Sequence, residues 1–165
     1  MRAMTTKLKR RVAILVAVAA LATSAAGCLQ DSTPGVPPSD LLQHQVMDGM
    51  NFQRWIAGVP GLTNSPKLSW LATVWAATMA TTTGFTHQNL SDRLFNDPYY
   101  ANYYTLGENI LVGPGNMTAD QMLNSWMKST PHRNNILSRN FNLAGVGWFR
   151  SGDGRLWVCV DFGGI

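Results

Sequence analysis

The sequence predicts an α+β domain in which helices pack on a small antiparallel sheet. Apolar residues recur at helical spacing through most of the stretch between residues 39 and 137, and the pattern changes to alternation between residues 144 and 164. The alternating stretch is interrupted by Gly152-Asp153-Gly154, which is typical of a β-hairpin turn. Helices combined with a mostly antiparallel sheet indicate a layered α+β architecture.

The first helix is predicted between residues 39 and 58. Ser39 is a suitable N-cap, and Gly58 is a suitable stop. Between them the apolar positions follow helical spacing, at Leu42, Val46 and Met50.

A second helix follows the turn Asn64-Ser65-Pro66. Its apolar residues form one stripe, since they recur at i, i+3, i+4, i+7 and i+11, and they are Leu68, Leu71, Ala72, Trp75 and Met79. Gly84 is predicted to end this helix.

Two shorter helices are predicted in the second half of the chain. Thr118 and Gln121 have the spacing of a capping box, which marks the start of the third helix. The fourth is predicted to start with Thr130 as N-cap and Pro131 at the first helical position. His132 then lies in the first turn, where the helix dipole disfavours the imidazolium, and we expect it to be neutral at physiological pH.

The last strand is predicted to be central in the sheet, because apolar residues occur on both of its faces. Alternation places one set on one face, namely Leu156, Val158, Val160 and Phe162, and a second set on the other, namely Trp157, Cys159 and Asp161.

Before the third helix, residues 89–109 show little periodicity and contain all four tyrosines. Their rings either pin this connection to the core or line a cleft, with Tyr103 and Tyr104 as the candidates for cleft lining.

The N-terminal 28 residues have the layout of a secretory signal peptide. A positively charged start is followed by an apolar run from Val12 to Ala22 and then by small residues. The run is shorter than the ~20 residues of a membrane span, so we expect an exported protein. The Pro-rich stretch 29–38 is predicted to be a linker, and residues 39–165 the folded domain.

The positive charge of the chain belongs to this leader. The formal net charge is +4, but five of the 13 Lys and Arg residues lie among the first 11 positions. The other eight face nine acidic residues, which leaves a net charge of −1 for the rest of the chain. We therefore expect no nucleic-acid partner.

The two cysteines, Cys28 and Cys159, allow several fates that the sequence leaves open. The stretch Ser-Ala-Ala-Gly-Cys ending at Cys28 resembles a bacterial lipobox, in which the cysteine is lipidated after cleavage, although Ala25 stands where Leu or Val is usual. Plain cleavage near Gly27 and a retained membrane anchor are the alternatives. An exported chain with two cysteines also suggests a disulfide, which lipidation of Cys28 would exclude, leaving Cys159 as a buried free thiol.

Three polar residues are candidates for chemistry: His87, Glu108 and His132. Glu108 is the only glutamate of the chain and lies between the two histidines, next to a glycine. The three are separated by more than twenty residues, so only the fold can bring them together. Each also has a structural interpretation, in which the histidines are hydrogen-bonded scaffold residues and Glu108 ties its loop to the first helix.

Several segments occur in the order and spacing of the CAP superfamily, which comprises cysteine-rich secretory, antigen 5 and pathogenesis-related 1 proteins. They are NFQRWIAGVPGLTNSPKLSWLATVWAATMA, HQNL, GENI, SWMKSTPHRNNIL, FNLAGVGW and WVCVDFGG. Over about residues 43–163 the chain resembles the bacterial exported branch of this superfamily. Asn51 and Arg54 match its pattern as well, and we expect both to be structural, with Arg54 reaching a loop or strand-end carbonyl.

The resemblance implies a three-layer α-β-α sandwich with a three-stranded antiparallel sheet. It also implies that His87, Glu108 and His132, the candidate catalytic residues, converge on one central cleft. In eukaryotic members a second carboxylate follows the tryptophan of the third helix, and Ser129 stands at that position here. Ser129 is therefore a further candidate for cleft lining, and the complete constellation of those members is absent.

Two functions of the cleft follow as expectations, beside a third in which the domain only presents its surface to cell-envelope partners. In the first, the protein is a secreted or envelope-tethered binding module whose cleft takes a metal ion, a lipid or a peptide. Zn²⁺ would be held by His87 and His132, with Glu108 orienting an imidazole. In the second, it is a zinc-dependent hydrolase or peptidase with Glu108 as general base, although the missing carboxylate speaks against an enzyme. We expect a monomer located outside the cell or on its envelope, which touches the membrane only through its leader or a lipid anchor.

Overall fold

The computed structural model describes residues 41–165, so the predictions for the leader 1–28, the linker 29–38, Ser39 and Cys28 lie outside the described residues. The helices are α1 (Leu41–Ile56), α2 (Pro66–Thr78), α3 (Leu90–Asn96), α4 (Ala119–Lys128) and α5 (Thr130–Leu137). The strands are β1 (Thr63–Asn64), β2 (Thr105–Pro114), β3 (Leu143–Arg150) and β4 (Arg155–Gly164).

These strands form one mixed sheet in the order β1-β3-β4-β2. The strands β3, β4 and β2 are antiparallel neighbours, which confirms the predicted α+β class and the central position of β4. The two-residue strand β1 pairs in parallel with the start of β3. The sheet thus has one short strand more than the three that the resemblance implied.

Both faces of β4 are buried, as its sequence pattern predicted. Leu156, Val158, Val160 and Phe162 belong to a cluster with residues of α1, α4 and α5. Trp157 and Cys159 belong to a second cluster with residues of α2. The sheet therefore lies between two helical layers, and each predicted set of alternating residues packs against a different layer.

Helix α2 lies unusually close to β3, because two glycines of the strand face it. A Cβ atom on Gly145 would stand 2.0 Å from the backbone nitrogen of Ser69, and one on Gly147 would stand 2.0 Å from that of Thr73. No side chain fits at either position, so the helix backbone rests on the strand backbone.

On the opposite face, Arg54 of α1 ties three segments together, as a structural residue. It is 1% exposed. Its guanidinium donates to the carbonyl oxygens of Pro60, Ile136, Ser138 and Phe141, at 2.6 to 3.0 Å. Since these carbonyls lie after α1, at the end of α5 and before β3, one buried cation sets the position of α5 relative to α1 and the sheet.

The helix ends agree with the glycine stops that the sequence predicted. Gly58 and Gly84 both adopt positive φ, at 65° and 72°, which favours glycine. Between α2 and Gly84 the helix widens into one π-helical turn, Met79–Thr83. The capping box of Thr118 and Gln121 is present at the start of α4.

Two local predictions were wrong. The N-cap of α5 is Ser129 and Thr130 is its first residue, although His132 still lies in the first turn. The stretch 89–109 contains α3 and a 3₁₀ turn, Pro98–Tyr100, where no helix was predicted. Helix α3 has seven residues and none of them is buried, so it carries no apolar stripe that the sequence could reveal. Its start is fixed by the Asn89 side chain, which accepts from the Asp92 backbone nitrogen.

Within residues 41–165, every helix is too short or too polar to cross a membrane.

We predict that Gly147→Ala destabilises the domain strongly. Overpacking a core typically costs roughly 1–3 kcal/mol, and we expect a loss of about 3 kcal/mol or more here. The reason is that its methyl group would meet the α2 backbone near Thr73, which can move only if the whole helix moves. Urea unfolding followed by circular dichroism measures the change. Gly152→Ala is the matched control, because a Cβ atom there meets nothing within 4 Å. Equal midpoints for the two variants would contradict the proposed close contact.

Candidate functional site

The two predicted histidines meet at β2, which is an edge strand of the sheet. His87 lies in the loop between the π-helical turn and α3, on the side of α2. His132 lies in the first turn of α5, on the opposite side. The ring centroids are 6.3 Å apart and the ring planes are inclined by 40°. The fold therefore brings together two imidazoles that are 45 positions apart in the chain.

Glu108 of β2 holds the His87 ring. The His87 Nδ1 atom is 2.6 Å from Glu108 Oε1. The Glu108 side chain is 1% exposed and the His87 side chain is 56% exposed, so the imidazole covers the buried carboxylate. A neutral imidazole donates from only one nitrogen, so in that form Nδ1 donates to Glu108 and Nε2 is the nitrogen that can accept a hydrogen bond or bind a metal.

Further donors converge on the same carboxylate. The Gln88 backbone nitrogen donates to Oε1 at 3.1 Å, and Gln88 Nε2 donates to Oε2 at 2.8 Å. The Cys159 thiol donates to Oε2 at 3.5 Å. A buried carboxylate is tolerated only when it is hydrogen-bonded in this way. Glu108 thus ties its strand to the loop 87–88, whereas the structural interpretation of the sequence expected a tie to the first helix.

His132 is held by its backbone. Its carbonyl oxygen accepts from Asn109 Nδ2 at 3.0 Å, and Asn135 Nδ2 bridges the Glu108 carbonyl oxygen and Asn109 Oδ1, each at 2.9 Å. Burial and, secondly, the nearby His87 lower the pKa of His132. The neutral state that the sequence predicted from the helix dipole is therefore favoured, with burial as the larger cause.

A second buried carboxyl group, Asp161, lies directly behind Glu108. The two residues are paired across β2 and β4. Gln88 Nε2 donates to Asp161 Oδ1 at 3.0 Å and the Tyr100 hydroxyl donates to Oδ2 at 3.3 Å. Burial and the charge of Glu108 raise the pKa of Asp161 to about 7. Asp161 thus carries a proton over much of the acidic range.

Sequence reasoning did not select Asp161 or Gln88 as site residues. The available signal was an aspartate within an apolar central strand, where an unpaired carboxylate is costly. Gln88 follows His87 directly, but nothing in the sequence shows that its amide joins two carboxyl groups.

Cys159 completes this buried cluster and is a free thiol. Its Sγ atom is 3.5 Å from Asp161 Oδ1, and burial raises the pKa of the thiol. One donor atom each from Glu108, Cys159 and Asp161 lie within 4.8 Å of one another, which is close enough for one metal ion. However, the Gln88 amide already bridges the two carboxyl groups, and the protonated thiol and Asp161 are poor metal ligands.

The predicted cleft-lining residues occupy different surroundings. Ser129 caps α5 and is partly buried. Tyr103 is buried with Leu68, Leu71 and Tyr100, where it pins the chain to the α2 side of the core. Tyr104 is 65% exposed, and its hydroxyl lies 3.5 Å from the Asn140 carbonyl oxygen. Contact of these three residues with a ligand stays a prediction.

Comparison with known proteins gives a consistent family. Residues 50–160 match the model of the cysteine-rich secretory protein family, CAP. The chain is 30% identical over 135 residues to YkwD of Bacillus subtilis strain 168, and the match covers 78% of this chain and 50% of YkwD. The chain thus spans about half the length of that curated relative.

Solved structures share the fold. An extracellular protein containing an SCP domain from Bacillus anthracis has a TM-score of 0.62 at 24% identity, over 74% of this chain and 40% of that one. NaASP2, solved with Zn²⁺, has a TM-score of 0.60 at 13% identity, over 83% of this chain and 84% of that one. At these identities the likeness concerns the fold.

We predict that stability falls as the pH rises from about 4 to about 7. The folded-state pKa of Asp161, about 7, lies above its ordinary value of 3.8, so the folded state binds this proton more tightly than the unfolded state. Its contribution is complete below about pH 4 and is lost by about pH 7, with a slope of at most about 1.4 kcal/mol per pH unit.

The measurement is urea unfolding at several pH values for the wild type and for Asp161→Asn, which resembles the protonated acid in shape. We expect the variant to lose this part of the slope. Asp92→Asn, an exposed change on α3, is the control and keeps it. An unchanged slope in Asp161→Asn would show that Asp161 ionises normally.

Proposed function

This chain belongs to the cysteine-rich secretory protein (CAP) family, and from that premise we propose that its domain is an exported binding module that takes Zn²⁺ between His87 and His132. The observation that carries the proposal is the His87–Glu108 contact of 2.6 Å at a surface-exposed imidazole facing a second imidazole. A carboxylate that binds one nitrogen of a histidine fixes the other nitrogen as a metal ligand.

The residues present fit a zinc ion. Nδ1 of His87 donates to Glu108, so Nε2 is the nitrogen that this ring can offer to a metal, and burial lowers the pKa of His132, which favours the neutral form that binds zinc. Two imidazoles on one tetrahedral zinc, at Zn–N distances of about 2.0–2.1 Å, have ring centroids roughly 5 Å apart. The observed 6.3 Å therefore requires a closing movement of about 1 Å, which the exposed His87 ring can make. NaASP2, a protein of the same fold, has been solved with Zn²⁺.

The alternative function is a zinc-dependent hydrolase or peptidase that uses Glu108 as general base. The surroundings of Glu108 favour a positioning role instead. Its two oxygens accept from His87, from two nitrogens of Gln88 and from Cys159, and its side chain is 1% exposed. A general base must reach the proton that it removes, and these contacts leave little room for a water molecule.

The place of action that we propose is outside the cell or on its envelope. The signal-like leader supports export, and the protein from Bacillus anthracis that shares the fold is described as extracellular. Lipidation of Cys28 would hold the domain at the membrane surface. In this setting a monomeric domain would present the cleft to a lipid, a peptide or an envelope partner.

We expect the purified protein to bind one equivalent of Zn²⁺, and His87→Ala and His132→Ala each to abolish that binding. Each variant removes one of two ligands, while Glu108 keeps its bonds from Gln88 and Cys159. Isothermal titration calorimetry measures the affinity, and circular dichroism checks the fold. His44→Ala is the matched control, since His44 lies exposed on α1. The absence of zinc binding in the folded wild type would refute the proposed function.

Glu108→Gln separates positioning from scaffolding. The amide lacks the negative charge that orients His87, and its NH₂ group points hydrogens at the donors that bind Glu108 in the wild type. We therefore expect zinc affinity to fall by about 10- to 100-fold. Asp120→Asn, an exposed change on α4, is the control and leaves the affinity unaltered. An unfolded Glu108→Gln, or a folded one with full affinity, would contradict the positioning role.

A further inference from the structure

A cavity lies on the α2 side of the sheet. Its volume is about 320 Å³, which is at the lower end of the range of small-molecule sites, roughly 300–1,000 Å³. Six residues of its lining determine its chemistry: Trp70, Trp75, Gln88, Arg93, Asp97 and Tyr99. They come from α2, from the loop 84–89, from α3 and from the 3₁₀ turn, and neither histidine of the zinc site lines it.

The walls of this cavity are aromatic and remain open to solvent. Trp70 and Tyr99 lie with ring centroids 5.5 Å apart and an interplanar angle of 51°. Tyr99 is 53% exposed and Val74, which also lines the cavity, is 46% exposed. The chain thus leaves apolar ring surface uncovered at a concave site, where a ligand with an apolar face would gain from burial.

The charges at the cavity neutralise each other. Arg93 Nη1 donates to Asp97 Oδ2 at 2.7 Å, and Asp97 Oδ1 accepts from the Tyr99 backbone nitrogen at 2.9 Å. A cationic ligand would be repelled by Arg93, and an anionic ligand would be repelled by Asp97. A neutral hydroxyl group can instead accept a hydrogen bond from Arg93 or donate one to Asp97.

Gln88 forms a polar part of the lining. Both hydrogens of its Nε2 are committed to Glu108 and Asp161, at 2.8 and 3.0 Å. Its Oε1 lies 3.4 Å from the Tyr100 oxygen, whose one hydrogen is donated to Asp161, so this amide oxygen retains capacity to accept from a ligand. The lining thus favours a ligand that donates a hydrogen bond.

We propose that this cavity binds a neutral saccharide unit. A pyranose ring has C–H faces that pack on Trp and Tyr rings, and its edge carries hydroxyl groups that donate and accept. An acyl chain has no hydrogen-bonding groups, so it would leave the polar groups of Arg93, Asp97 and Gln88 without a hydrogen-bond partner in the ligand. The site goes beyond the proposed zinc site, because its lining does not include the histidines.

The test uses two neutral probes, the β-1,4-linked N-acetylglucosamine trimer and maltotriose, titrated into the purified full chain by isothermal calorimetry. We expect at least one of them to bind the wild type. Tyr99→Ala, which removes a half-exposed ring with little risk to the fold, should weaken that binding at least tenfold, and Trp70→Ala should do the same. Trp55→Ala is the matched control, because Trp55 is 74% exposed on α1 and outside the cavity.

Saccharide binding should persist when EDTA removes zinc, which separates this proposal from the zinc site. No binding of either probe to the folded wild type overturns the proposal, and so does equal affinity in Tyr99→Ala. Binding of 1-naphthol at this cavity without saccharide binding would show that it takes apolar rings, and would overturn the assigned ligand class.

Discussion

The burial of one carboxylate is the constraint around which this site is organised. Glu108 lies within the sheet at 1% side-chain exposure, where a charge is stable only if donors surround it. The chain supplies those donors from two places: the loop 87–88, which contributes Gln88 and the exposed imidazole that closes over the carboxylate, and the central strand β4. The orientation of His87 therefore follows from the hydrogen bonds that Glu108 requires, and the same set of bonds ties the loop 87–88 to β2.

The two layers of helices deliver the histidines to the same edge. On one side, Gly145 and Gly147 let α2 pack directly on β3. This close packing fixes the distance of α2 from the sheet, and so the point at which the loop that carries His87 begins. On the other side, the Arg54 guanidinium binds carbonyls at the end of α5 and thereby places His132. Each imidazole thus depends on a contact that lies far from it in the sequence. A change in core packing would therefore alter the distance between the two imidazole rings, even where the hydrogen bonds of each ring are kept.

Much of the fold could be predicted from the sequence because its signals are local. The hairpin, the stops at Gly58 and Gly84 and the central position of β4 follow from spacing and backbone preference. Helix α3 could not be predicted, since none of its residues is fully buried, and the short strand β1 carries no pattern of its own. Within the site, the rarity of glutamate indicated Glu108, and family resemblance indicated the histidines. Asp161 and Gln88 form their contacts across 73 positions of sequence, where no spacing rule applies.

The position of the site on an edge strand has a consequence for self-association. An edge strand such as β2 has backbone groups on its free side with which a strand of another molecule could pair if nothing covered them. Asn135 donates to the Glu108 carbonyl oxygen there, and Asn109 reaches back to the His132 carbonyl, so side-chain amides and α5 occupy the place of a neighbouring strand. The residues that position His132 therefore also prevent a strand of another molecule from pairing with β2. Opening the cleft on the α5 side would therefore also uncover backbone groups of β2.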